Sequence, residues 1–354
     1  MPTFSGRYAM LEQLVAEGVE YVFGNPGTTE QAFMDALQDY PQVEYVLALH
    51  ESVAIGVADG YARAGGRPAF VQLHITPGVG NAMGMLYNSY RTHTPLVIYA
   101  GQHPQRGSSQ DPILTGDVVR LAAPLCKWAV EAEDAAEIPA LLRRAFKVAM
   151  EAPRGPCFLS VPANLMDEEC AADVFPSRPA DARVRPHPDV AERVADLLLE
   201  AESPVIICGD GVSESGGQAA LVALAEAVGA RVHASFSAEL PFPSQHPLYA
   251  GLLNVVSAAA LKGQLSSADV VLAVGTPLLP LLFPLDEPPF APTAKVLHID
   301  LNPWEIGKNW RVEMGVVADP RLALEEILAA VQRKQTPAQR EGATRRATAV
   351  EAMG

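Results

Sequence analysis

Glu51 follows His50 at a change of pattern. The apolar run Val43 to Leu49 gives way to the small-residue segment Ser52 to Ala64. The first reads as a strand and the second as a helix, which puts the carboxylate at a strand-to-helix junction. A carboxyl there either complements the positive end of the helix macrodipole or is kept for proton transfer. His50-Glu51 also invites a zinc reading. That reading needs a second histidine four residues after the first, where Ala54 stands. The eight histidines offer no other ligand spacing, so no metal site is expected within this chain. Ser160, Ser213 and Ser215 lack the flanking glycines of a hydrolase nucleophile elbow.

Further stretches carry residues of chemical interest. Gly24-Asn-Pro-Gly-Thr-Thr-Glu30 joins a strand to a helix start. Backbone N–H groups there can hold an anion, or Thr28 or Thr29 simply caps the helix. Gly78-Val79-Gly80 is too short for a dinucleotide fingerprint, and a flexible turn is as good a reading as a binding loop. His74, taken alone, reads as a half-buried imidazole at a strand end.

The elements that would position these residues alternate. Strands are expected at Tyr21 to Phe23, Val43 to Leu49, Ala69 to Leu73, Leu96 to Ala100 and Cys157 to Val161. Helices are expected between them, one from Thr28 to Leu37 and one from Asn81 to Tyr90, the latter preceded by a loop from His74 to Gly80. Continuous apolar strands alternating with helices mark a parallel sheet covered on both faces, and ligands collect outside the carboxyl ends of such strands. Asn25 to Thr28, His50-Glu51 and His74 to Asn81 all fall at those ends. The proline-rich stretch 171–188 reads as a linker, and a second α/β unit follows. The expected fold class is therefore α/β, with two doubly wound parallel-sheet domains. The expected division is a first domain over 1–170, a linker over 171–188, a central Rossmann-like domain over 189–334 and a polar tail over 335–354 that buries nothing obvious.

Composition narrows the partners. The 354 residues carry a formal net charge of −15 and are 49% apolar. An acidic, aromatic-poor chain is a poor binder of nucleic acid. Cys126, Cys157, Cys170 and Cys208 are widely spaced and read as reduced thiols. Neither a signal region nor an apolar run of membrane-spanning length is present, so a soluble cytoplasmic protein with no membrane partner is expected.

Read together, several stretches resemble the thiamine-diphosphate-dependent 2-oxo acid decarboxylase and synthase family. They are Val22-Phe-Gly-Asn-Pro-Gly-Thr28, Leu49-His-Glu-Ser-Val-Ala54, Ala58-Asp-Gly-Tyr-Ala62, Leu73-His-Ile-Thr-Pro-Gly-Val-Gly-Asn-Ala82, His93-Thr-Pro-Leu-Val-Ile-Tyr-Ala-Gly-Gln102 and Gly155-Pro-Cys-Phe-Leu-Ser-Val-Pro162. Order and spacing resemble benzoylformate decarboxylase most closely, with acetolactate synthase and pyruvate oxidase as more distant relatives. The resemblance implies a pyrimidine-binding first domain and a central domain. It also implies a third domain that holds the cofactor diphosphate through Mg²⁺, which this chain is expected to lack. Gly209-Asp210-Gly211 imitates the start of the third domain's signature, but the next asparagine, Asn254, is too far on, and the motif is rejected as a metal site.

The resemblance also implies roles. Glu51 would activate thiamine diphosphate, which needs a carboxyl that can share a proton; an apolar pocket raises its pKa, the helix N-terminus lowers it, and the sequence leaves the balance open. Pro26, Gly27, Gly78, Gly80 and Asn81 would line the cofactor. Thr28 and His74 would face the substrate, with His74 moving protons. A second catalytic histidine should fall near Leu282 in Pro277-Leu-Leu-Pro-Leu-Leu-Phe283, and none is there, so the substrate is stated only as a small 2-oxo acid. The active site would be completed by a separate diphosphate-binding chain or domain, in a homo-oligomer, dimer or tetramer. An acetolactate-synthase-type transferase and a non-catalytic assembly subunit are the alternatives. No convincing flavin pattern stands in 205–300.

Overall fold

The computed structural model describes residues 2–236, 239–280 and 282–352. The chain divides into two compact units, residues 1–181 and 182–354. Unit one contains strands β1 (Thr3–Ser5), β2 (Tyr21–Gly24), β3 (Glu44–Leu47), β4 (Ala69–Leu73), β5 (Leu96–Gln102), β6 (Trp128–Glu131), β7 (Cys157–Pro162) and β8 (Glu169–Ala171). Its helices are α1 (Gly6–Ala16), α2 (Gln31–Leu37), α3 (Glu51–Gly65), α4 (Ile75–Arg91), α5 (Val118–Ala122), α6 (Ile138–Met150) and α7 (Ala163–Asp167). Unit two contains α8 (Pro188–Glu200), β9 (Pro204–Cys208), α9 (Asp210–Glu214), α10 (Gln218–Val228), β10 (Arg231–Ala234), β11 (Tyr249–Leu252), α11 (Ala258–Leu265), β12 (Val270–Val274), β13 (Lys295–Asp300), β14 (Met314–Val317), α12 (Pro320–Lys334) and α13 (Pro337–Glu351).

In unit one a six-stranded sheet runs β3-β2-β4-β5-β7-β6, and every pairing is parallel. Successive residues of each strand point to opposite faces. Val22, Phe70, Val97, Tyr99 and Leu159 join one core with Leu14, Phe33, Leu142 and Phe146. Their neighbours Phe23, Val71, Ile98 and Phe158 join the other core with Ile55, Ala58, Val79 and Leu86. Both faces are covered, which is why the strands read as unbroken apolar runs. From β2 the chain moves outward to β3 and then crosses back to β4, so the strand order reverses between β2 and β4. A reversal of this kind opens a crevice at the carboxyl ends of the strands. β1 and β8 form a separate antiparallel pair.

Unit two repeats the plan. Its parallel sheet runs β11-β10-β9-β12-β13-β14, with the reversal between β9 and β12. Gly209 is the N-cap of α9, and the Asp210 carboxylate accepts the Glu239 N–H at 2.8 Å.

Three expectations are corrected. The loop placed at His74 to Gly80 is helix, because α4 starts at Ile75. Pro77 sits in its first turn, where its missing N–H has no helical partner to lose. The strand placed at Val43 to Leu49 is only Glu44–Leu47, an edge strand with Leu47 and Leu49 exposed. The tail 335–354 buries side chains after all. Thr336 and Gln339 form a capping box that opens α13. Ala343 and Val350 are buried, and the Arg346 guanidinium donates at 2.7 Å to the carbonyl of Val228, the last residue of α10. Gly229, just after α10, has φ +62°, and a Cβ there would stand 2.3 Å from the Ala343 carbonyl oxygen. Gly229→Ala is expected to lower the stability of unit two by about 1–3 kcal/mol through left-handed strain and displacement of α13. Thermal unfolding checks this, and an unchanged midpoint would refute it.

Candidate active site

β3 ends at Leu47, and His50, in extended conformation, is the N-cap of α3, its ring nitrogen accepting the Ser52 N–H. Glu51 is thus the first helical residue, only 5% exposed. One carboxylate oxygen accepts from the Asn25 side-chain amide at 3.1 Å, and the other from the Asn81 amide at 3.0 Å. Asn25 follows β2 and Asn81 lies on α4, so three successive strand-to-helix connections meet at one carboxylate. Ser52 secures this arrangement by donating its hydroxyl to the Asn81 carbonyl at 2.5 Å.

Burial pushes the Glu51 carboxyl up, but the Asn81 amide, its own backbone N–H and the Asn25 amide, with a smaller electrostatic contribution from His50, together outweigh it. The carboxyl is held below the usual carboxylate value. The amide donors thus decide the balance between burial and the helix N-terminus that the sequence leaves open. The pocket is apolar behind Glu51 and rich in amide donors in front of it, and donors to a charged form favour that form.

A second cluster stands beside it. His74, the N-cap of α4, places Nδ1 3.0 Å from a Glu30 carboxylate oxygen. Glu30 is fully buried. It also accepts the Gly27 N–H at 2.9 Å, the Gly101 N–H at 2.9 Å and the Thr29 hydroxyl at 2.6 Å. With Glu30 ionised its oxygens only accept, and the contact then assigns the proton to Nδ1 of His74 and leaves the Nε2 lone pair of a neutral ring free. Gly27 and Gly78 allow the clusters to close up. A Cβ at Gly27 would stand 2.1 Å from His74 Nδ1, and one at Gly78 would stand 3.0 Å from both Glu51 Oε1 and His74 Cβ.

Glu51, Gly78, Asn81, His74 and Gly27 are therefore brought together. Pro26 is half-buried between Asn25 and Gly27, and Thr28 is exposed on the short 3₁₀ turn Thr28–Glu30. Gly80 is exposed with open space around it. Neither Thr28 nor Thr29 caps the following helix. Glu30, the N-cap residue of α2, turns its carboxylate back to accept the Gly27 N–H ahead of the 3₁₀ turn, so the anion at this turn is the chain's own carboxylate. Glu30 and Asn25 were missed as site residues, although both stand in the stretch Gly24 to Glu30. Leu282, in unit two, is 66% exposed, and Leu281 beside it lies outside the described residues. Among the described residues no group of three or more His, Cys, Asp or Glu side chains could hold a metal ion.

A doubly wound α/β unit with polar groups converging at its switch point defines a class of ligand-binding enzyme domain. Residues 4–120 match the thiamine pyrophosphate enzyme N-terminal TPP binding domain, and residues 191–327 match the thiamine pyrophosphate enzyme central domain. The chain belongs to the thiamine pyrophosphate enzyme family. It is 34% identical over 338 residues to benzoylformate decarboxylase of Pseudomonas aeruginosa, covering 93% of this chain and 62% of that protein. It is 33% identical over 333 residues to the "Probable acetolactate synthase large subunit" of Methanocaldococcus jannaschii, covering 92% of this chain and 56% of that one. The crystal structure of benzoylformate decarboxylase from Polynucleobacter necessarius superposes with a TM-score of 0.85 at 30% identity, covering 92% of this chain and 61% of the other. The chain thus spans roughly three-fifths of the length of these relatives.

The residues present fit the pyrimidine half of thiamine diphosphate. Each Glu51 oxygen uses one acceptor site on an asparagine, which leaves a further lone pair for a ring N–H. The exposed backbone at Gly80 and Asn81 leaves open surface beside that carboxylate.

Proposed function

We propose that this chain supplies the pyrimidine-binding and central parts of a thiamine-diphosphate-dependent 2-oxo acid decarboxylase of the benzoylformate decarboxylase kind. The observation that carries the reading is the Glu51 carboxylate gripped by Asn25 and Asn81 beside the Glu30–His74 pair. Thiamine diphosphate, when bound, supplies the nucleophilic carbon and accepts the electron pair released as CO₂ leaves. The Glu51 carboxyl hydrogen-bonds the cofactor's pyrimidine nitrogen and shares a proton with it. His74 offers Nε2 to the substrate side, its other nitrogen fixed by Glu30. The Thr28 hydroxyl donates to the substrate carboxylate, and Gly27, Pro26, Gly78, Gly80 and Asn81 border the cofactor. Mg²⁺ and the diphosphate are held by another chain or domain. The four free cysteines support a reducing, cytoplasmic setting, with burial pushing Cys157 and Cys208 up to about 12.

The test is reconstitution. The chain is mixed with a diphosphate-binding domain from a relative, thiamine diphosphate and Mg²⁺, and CO₂ release from benzoylformate and pyruvate is followed. Acetaldehyde from pyruvate supports decarboxylation. Acetolactate would support the transferase reading, which the relative from Methanocaldococcus jannaschii favours. A stable assembly that releases no CO₂ from either acid overturns both and favours a non-catalytic subunit.

We also propose a homo-oligomer. Val53 and Val57 on α3 and Tyr87 and Tyr90 on α4 are exposed at helical spacing. An apolar face of this kind on packed helices supports an interface. Sedimentation at micromolar concentration is expected to give a dimer or larger species, and Val53→Lys with Val57→Lys is expected to weaken it at least about tenfold. A wild-type monomer would refute the interface.

A further inference from the structure

The cavity of about 500 Å³ lined by α6 and residues 175–178 carries a different chemistry. Leu142, Ala145, Phe146 and Ala149 bury one face of α6. Ala140, Arg143, Arg144 and Lys147, at helical spacing on the opposite face, line the cavity. The facing wall is the segment Phe175-Pro176-Ser177-Arg178. Four cationic side chains and no carboxylate line one cavity, in a chain whose net charge is −15.

The wall is built rather than draped. Gln13 donates its side-chain amide to the Phe175 carbonyl at 2.9 Å. The half-buried Glu17 carboxylate accepts both the Ser177 N–H at 2.9 Å and the Ser177 hydroxyl at 2.6 Å. Arg143 lies 3.8 Å above the Phe175 ring and donates to the Asp173 carbonyl. Lys147 is paired with Glu151 one helical turn on. Arg144 lies over the Trp128 ring, and neither it nor Arg178 has an ion-pair partner among the described residues. Cations near a helix C-terminus are favoured by the macrodipole, which accounts for Lys147 alone. It does not account for Arg178, which comes from the opposite wall.

Topology separates this cavity from Glu51. α6 joins the parallel neighbours β6 and β7, so it runs back against the strands and its C-terminal half lies at their amino ends. α1 likewise runs back before β2, which brings Glu17 to the same edge. Glu51, His74 and Asn81 stand at the carboxyl ends.

We propose that this cavity is a binding site for an organic diphosphate, a small molecule with a diphosphate group on an apolar or aromatic body. The guanidinium forks of Arg144 and Arg178 suit phosphate oxygens, and the volume suits a drug-sized ligand. Phe175, 45% exposed, and Pro176 give the body an apolar wall.

Calorimetric titration of the whole chain with inorganic pyrophosphate and with ADP tests this. Both are expected to bind saturably, ADP more tightly. Arg144→Gln with Arg178→Gln is expected to weaken both by at least about tenfold. Phe175→Ala is expected to remove only the advantage of ADP. If the double glutamine variant unfolds, Arg144→Lys with Arg178→Lys keeps the charge, removes the forks and is expected to weaken both ligands less. Failure of both ligands to bind overturns the site, as does binding that the arginine variants leave unchanged. Equal affinities for pyrophosphate and ADP overturn the organic body.

Discussion

Glu51→Gln is expected to lower 2-oxo acid turnover in the reconstituted enzyme by about 10²–10⁴-fold, the range for loss of a positioned proton acceptor. The fold should survive, because the asparagine amides on either side can rotate to face a glutamine carbonyl or amide. What is lost is a group that can take up a proton. A fully active variant would sink the proposed mechanism. Asn81→Ala gives the graded version. It removes the strongest of the donors that hold the Glu51 carboxyl low, so that carboxyl moves up. A carboxyl below its ordinary value stabilises the folded chain above that value and loses the contribution as pH falls through the folded pKa. The variant therefore loses some of that stabilisation, and the acid limb of its pH–rate profile moves to higher pH. A limb that stays in place would separate Asn81 from control of Glu51.

The sheet and its crevice were legible because physics writes them locally. A strand buried on both faces must be apolar throughout, so Leu96 to Ala100 and Cys157 to Val161 stand out without knowledge of their neighbours. The polar residues then fall at strand ends by subtraction. The start of α4 was hidden because Pro77, Gly78 and Gly80 all speak against helix, and their reason lies elsewhere: Gly78 makes room for Glu51. α13 was hidden because Ala343 and Val350 are its only buried side chains among those described, too few to show a period. Glu30 was hidden for the deepest reason. Two of its partners, His74 and Gly101, lie 44 and 71 residues away, and nothing local distinguishes a buried acid from a capping one.

Glu30 therefore carries the second large expectation. Glu30→Ala leaves the half-buried Gly27 and the buried Gly101 N–H groups without acceptors and is expected to cost about 3–5 kcal/mol of folding stability. Such a loss is a large part of what a domain has, so poor folding is an expected result. Glu30→Gln separates structure from catalysis. With its carbonyl turned to Gly101 and Thr29, its amide faces Gly27 and His74. The imidazole must then accept at Nδ1, which moves the proton to Nε2. The atom that faced the substrate as an acceptor becomes a donor. Nitrogen NMR of the histidine-labelled chain is expected to show His74 changing from the Nδ1–H to the Nε2–H tautomer. Turnover is expected to fall by about 10²-fold, the lower end for a misplaced proton-transfer group. A variant with reduced thermal stability but an unchanged tautomer would reduce Glu30 to a capping residue. A changed tautomer with full activity would remove His74 from proton transfer.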